Sequence, residues 1–118
     1  MTINAVVFDA YGTLYDIQSV AAVTEDAFPG YGDIITQIWR IKQLEYSWTL
    51  TLAGRYENFW TLTERALDFA LARFPSVDRA LKPALMDAYR ALDAFADAGT
   101  ILRSIIFLKS VKYTYSLQ

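Results

Sequence analysis

The chain contains no cysteine and no histidine. That excludes disulfide scaffolding, thiolate redox chemistry, Cys-His and Ser-His-Asp catalysis and the usual zinc sites in one step. Chemistry here has to run on Asp, Glu, Arg, Lys, Ser, Thr or Tyr. Basic runs are also missing: the 11 Lys and Arg residues are scattered singly among apolar ones and are outnumbered by 13 acids, for a net charge of -2. Neither nucleic acid nor an anionic membrane surface is therefore expected as a partner. Turn markers are sparse, with 3 prolines and 5 glycines, no proline beyond Pro83 and no glycine beyond Gly99. The N-terminus has no basic region leading into an apolar segment, because Asp9 interrupts the only candidate. The expectation is a cytosolic protein without a targeting or membrane-spanning segment. Internal repeats and low-complexity tracts are absent.

What is present begins with a short apolar run, Ala5-Val6-Val7-Phe8, that stops on Asp9 and leads into Ala10-Tyr11-Gly12-Thr13-Leu14-Tyr15-Asp16. Its β-branched and aromatic members, closed by Gly and Thr, fit a buried strand of an α/β sheet better than a helix. Reactive groups of open α/β sheets lie just beyond the carboxyl ends of strands, which is where Asp9 falls. By itself, an acid in that position is more often a cap or turn residue than a nucleophile.

Four helices are expected next. Ile17 to Phe28 is amphipathic and stops at Pro29-Gly30. The second runs from Asp33, read as its cap, to about Ala53-Gly54, with Ile34, Ile35, Ile38, Trp39, Ile41, Leu44 and Trp48 at spacings of three and four. A third spans about Arg55 to Phe74 before Pro75, and a fourth follows Ser76 to about Ala94, with Pro83 obscuring its first turns. Beyond Phe95, Ile101 to Leu108 fits a helix or a buried strand, and Val111 to Leu117 suits a strand.

The string Phe8-Asp9-Ala10-Tyr11-Gly12-Thr13-Leu14 resembles the first motif of the haloacid dehalogenase superfamily. Ala27-Phe28-Pro29-Gly30, followed by Trp39-Arg40-Ile41-Lys42-Gln43-Leu44-Glu45-Tyr46-Ser47-Trp48, resembles the helical cap of the (S)-2-haloacid dehalogenases within it. The resemblance covers about residues 3 to 103. It implies an α/β fold, mostly helical in this chain: the first strand of a Rossmann-like core and its nucleophile loop (1-15), a four-helix cap subdomain (16-94) and a return to the core with an atypical tail (95-118). The rest of the sheet is expected to be missing.

In this branch Asp9 is the implied nucleophile. Most of the superfamily are phosphohydrolases with a second Asp two residues later, acting as general acid and magnesium ligand; here that position is Tyr11. Losing the carboxylate weakens a hard-cation site and removes the acid that would protonate an alkoxide leaving group, whereas halide departs unprotonated. The implied reaction is covalent: Asp9 displaces halide from a 2-haloacid, and water hydrolyses the ester to an inverted 2-hydroxy acid. Arg40 is implied to receive the halide and Thr13 to help hold a carboxylate. Ala10, Tyr11, Leu44, Phe59 and Trp39 are implied to line the substrate side, excluding water. No cofactor or metal is expected.

Each of these has a plainer reading. Arg40 suits a solvated or ion-paired helix position, Trp39, Leu44 and Phe59 suit core packing, and Tyr11 suits a stacking role. Ile41 stands where the family pattern has a polar residue. The resemblance also calls for a Ser-Asn-Gly turn, a Lys and a late Ser-Asn and Asp cluster, and the chain reads Tyr115-Ser116-Leu117-Gln118 where the first would fall. The expectation is a truncated, feeble or inactive frame whose last fifteen or so residues derive from a frameshift. An unpaired strand and uncovered helix faces would then favour aggregation or association with another copy. The rivals are a haloacid dehalogenase-type phosphatase, distinguished by magnesium-dependent phosphate release, and a non-catalytic helical interaction module.

Overall fold

The computed structural model describes residues 5–106. Its elements are β1 (Tyr15–Asp16), α1 (Ser19–Ala27), α2 (Gly32–Leu52), α3 (Phe59–Ala72), a 3-10 turn (Arg79–Leu81), α4 (Lys82–Arg90), β2 (Asp93–Ala94) and α5 (Ala98–Ile106). The architecture is thus mostly helical, with one small two-stranded sheet. β1 and β2 pair antiparallel, Tyr15 opposite Ala94 and Asp16 opposite Asp93, and the Phe95 N–H extends the pairing to the Leu14 carbonyl at 3.0 Å. The pair ties the two ends of the helical stretch together.

Helix boundaries follow local chemistry. Phe28 closes α1, and Gly30 takes the left-handed backbone (φ 84°) that lets the chain reverse. Glu25 of α1 then accepts hydrogen bonds from the N–H groups of Gly30 and Gly32, at 2.5 and 2.8 Å, serving the start of α2. Asp33, expected as the cap, lies in the first turn of α2, where its charge suits the helix dipole; Tyr31 occupies the cap position without a side-chain bond. Helix α3 starts at Phe59 rather than about Arg55, because Asn58 is the cap and accepts from the Trp60 N–H at 2.8 Å. Pro83 sits in the first turn of α4, where its missing N–H has no helical partner to lose. Lys82, at the head of α4, bridges Glu64 and Asp68 of α3 at 3.0 and 2.8 Å.

The core lies where α2 packs on α1 and α3, with α4 closing against α1. Val20, Phe28, Ile35, Trp39, Ala66, Leu67, Leu71, Leu85 and Tyr89 are buried there. Two expectations need correction. Residues 5–10 form no strand, so the first strand of a Rossmann-like core is not made. A single parallel strand has nothing to pair with among the described residues. The core face of α2 also holds only part of the predicted stripe: Ile35 and Trp39 are buried and Ile38 packs on the core, but Ile34, Ile41 and Trp48 are exposed, the last two by 60% and 63%, while Thr36 and Gln43 are buried. Ile101 to Ile106 continues α5, settling the choice there for helix. Leu108, and the strand expected over Val111 to Leu117, lie outside the described residues.

Candidate active site

Asp9 stands at the start of a tight loop. The Ala10 carbonyl accepts from the N–H groups of Leu14 and Tyr15 at 3.0 and 2.9 Å, and the Gly12 N–H donates to the Tyr15 carbonyl at 2.8 Å. The loop can close because Gly12 adopts a positive φ of 87°, which a side chain would strain. One consequence is that Thr13 comes back over Asp9: its hydroxyl donates to Asp9 Oδ2 at 3.1 Å. Both side chains are exposed, so the carboxylate is open to solvent-borne reactants.

Two residues on, Tyr11 turns inward. Its ring lies 5.8 Å from Phe59 and 5.9 Å from Tyr89, both tilted, and the Arg40 guanidinium sits 5.9 Å from its centroid. The structure therefore gathers Tyr11, Arg40 and Phe59 from the loop, α2 and α3 into one cluster beside Asp9 in sequence. Burial raises the Tyr11 phenol above its ordinary value, with the Arg40 charge opposing. Trp39 is buried behind this cluster, stacked 5.2 Å from Tyr89 and donating its indole N–H to the Thr63 carbonyl at 2.8 Å. Leu44 is half-buried one turn beyond Arg40 and is not among the side chains packed on the central core.

The polar residues behind Arg40 were missed by sequence reasoning. Arg40 Nη1 donates to Gln43 Oε1 at 2.6 Å and to the Tyr89 hydroxyl at 3.4 Å. The Tyr89 hydroxyl itself donates to Gln43 Oε1 at 2.7 Å, and Gln43 Nε2 donates to Thr63 Oγ1 at 2.7 Å. Gln43 and Thr63 are completely buried. A signal existed: Gln43 follows Trp39 by four and Thr36 by seven, so a polar side chain recurs along the stripe that carries the core indole.

Arg40 also borders a cleft of about 220 Å³ between α1 and α2, whose other walls include Ile17, Gln18, Thr36 and Ile41. Thr36 Oγ1 is buried without a partner among the described residues. Among those residues no group of three or more carboxylates, or of other metal-ligating side chains, converges on one point. Among the described residues no helix is long and apolar enough to cross a membrane.

Comparison with known proteins agrees with the motif reading. No protein-family model matches the chain. It is 49% identical over 108 residues to the (S)-2-haloacid dehalogenase of Xanthobacter autotrophicus, covering 91% of this chain and 43% of that protein. With (S)-2-haloacid dehalogenase 4A of Burkholderia cepacia it shares 43% over 117 residues, 98% of this chain and 49% of the relative. The solved structure of the L-2-haloacid dehalogenase from Xanthobacter autotrophicus superposes with a TM-score of 0.81 at 47% identity, over 93% of this chain and 46% of that one. A second structure of that enzyme, with chloropropionic acid covalently bound, also gives 0.81. Over most of its length, then, this chain is a homologue of the (S)-2-haloacid dehalogenases, and it spans under half of theirs.

Proposed function

We propose that this chain carries the nucleophile-bearing portion of an (S)-2-haloacid dehalogenase, with Asp9 as nucleophile and Arg40 as the cation that receives the halide. The observation that carries the reading is the conjunction of an exposed Asp9 held by Thr13 with a neighbouring Tyr11 packed against Arg40, in a chain matching an enzyme seen with chloropropionic acid covalently bound. A carboxylate oxygen of Asp9 attacks the carbon bearing the halogen; the C–O bond forms as the C–halogen bond breaks, and its electron pair leaves with the halide. Water then adds to the ester carbonyl of Asp9 and loses a proton to solvent. The acyl C–O bond breaks, returning the Asp9 carboxylate and releasing an (R)-2-hydroxy acid.

The chain's own residues divide the work. Thr13 orients the attacking carboxylate through its hydroxyl. Arg40 stabilises the negative charge that develops on the departing halogen. Tyr11, Phe59 and Leu44 supply an apolar wall with Ala10 at its edge, and Trp39 backs that wall from the core. Tyr11 also takes the place of a second loop carboxylate, which suits a leaving group that needs no proton. We further propose that residues 16-94 act as the cap over this site, with 1-15 and 95-118 on the core side.

The test is a quench of the chain with (S)-2-chloropropionate. The Asp9-containing peptide should gain one propionate ester unit, with stoichiometric chloride release, and the adduct should be lost in Asp9→Asn. With turnover in heavy-oxygen water, label should enter the Asp9 carboxylate before the product. Chloride release that persists in Asp9→Asn would sink the proposal.

A further inference from the structure

Arg40 differs from the other two cations within α2 and α3, Lys42 and Arg65, in having no carboxylate partner among the described residues. Lys42 pairs with Glu45, Arg65 with Glu57, and Lys82 with Glu64 and Asp68. Arg40, half-buried, has no carboxylate within ion-pair distance among the described residues; its side-chain hydrogen bonds go to an amide oxygen and a phenol. The direction of that network is fixed at its far end. Thr63 Oγ1 donates to the Phe59 carbonyl at 2.9 Å, so it has to accept from Gln43 Nε2; this fixes the amide flip and aims Oε1 at Arg40 and Tyr89. The Tyr89 phenol is pushed up by burial, with Arg40 and Gln43 opposing, which keeps the hydroxyl protonated and donating at neutral pH.

We infer that Gln43 is the positioning residue for Arg40, holding the guanidinium by one edge through neutral partners so that its charge stays uncompensated for an incoming anion. A carboxylate at the same place would bind the guanidinium more strongly, but it would consume the charge. Tyr89 is the second arm of the clamp, and Thr63 sets the direction of both. The inference rests on the reading of Arg40 as the halide-receiving cation, and it explains why a glutamine, costly to bury, occupies the core stripe of α2.

The test measures bromide binding by the broadening of the bromide NMR line in solutions of the chain, beside urea denaturation of each variant. The unaltered chain should broaden the line and Arg40→Ala should not. Gln43→Glu, of the same size, should lose about tenfold or more in bromide affinity as an opposite charge neutralises the site, measured on protein shown to be folded, since losing the bond that Gln43 Nε2 gives Thr63 lowers its urea midpoint. Tyr89→Phe should weaken binding about threefold by freeing one edge of the guanidinium. A purely structural role for Gln43 would leave bromide binding by the folded protein unchanged, so a loss of affinity in folded protein is the diagnostic result. Arg40-dependent broadening that survives Gln43→Glu undiminished would overturn this inference alone. If Gln43→Glu does not fold, undiminished binding by Tyr89→Phe would overturn it. Absence of Arg40-dependent broadening in the unaltered chain would overturn the reading of Arg40, and the inference with it.

Discussion

Thr36 and Tyr89 differ in a way that two measurements can expose. Thr36 buries a hydroxyl without a partner among the described residues, whereas the Tyr89 hydroxyl serves both Gln43 and Arg40. Replacing an unsatisfied hydroxyl by a methyl of the same shape removes a desolvation cost. Thr36→Val should accordingly raise stability by about 1 kcal/mol, read as a higher urea midpoint at constant slope. The Tyr89 phenol titrates above its ordinary 10.0 in the folded chain, because burial disfavours the phenolate more than Arg40 favours it. A group whose folded pKa is raised contributes stability that is complete below its unfolded pKa and lost as pH rises through the folded one. Stability should therefore fall as pH climbs past about 10, and Tyr89→Phe should lessen that alkaline loss; an identical alkaline profile in the variant would contradict this account. Asp9, Thr13 and Arg40 were legible as single residues because a motif marks them. Gln43 was not, since its role depends on Thr63 and Tyr89, 20 and 46 positions away.

At the scale of elements, α2 organises the molecule. It is 21 residues long and apolar on two sides, which is why its core face could not be chosen from periodicity. Ile35, Trp39 and Gln43 follow the side that meets α3, while Ile34, Ile41, Trp48 and Leu52 run along the opposite, exposed side. The junction with α1 is tight at Gly32, where an added Cβ would run into the backbone and carboxylate of Glu25. Gly32→Ala should destabilise the fold by about 1–3 kcal/mol, the usual range for overpacking, and should loosen the Glu25 bonds that serve the start of α2. Thermal unfolding followed by circular dichroism would read it; a variant as stable as the parent would mean that α1 gives way at little cost. Pro83 taught the converse lesson: a residue read as an obstacle is harmless when it falls in the first turn.

For the whole molecule, the helices carry the order and the segment with Asp9 carries little. No amide between Val6 and Asp9 donates a backbone hydrogen bond among the described residues, and Val7 is 92% exposed. Hydrogen exchange should therefore find those amides nearly unprotected, with the slowest exchange in the facing halves of α2 and α3. Protection over residues 6–9 would show that the strand finds a partner in solution. The chain spans about half of the relatives it matches, and the first strand expected from the motif is not formed among the described residues.

The amino-acid sequence alone pointed to the helices α1 to α4, the Gly12 turn and the residues proposed as nucleophile and cation, because each depends on residues close together or on a short motif. Only the tertiary structure decided which face of α2 is the core, that residues 5–10 stay unpaired, and that Gln43, Thr63 and Tyr89 stand behind Arg40. Periodicity records how apolar a face is and not what lies opposite it. A strand needs a neighbour, and a buried amide needs partners that only folding brings within reach.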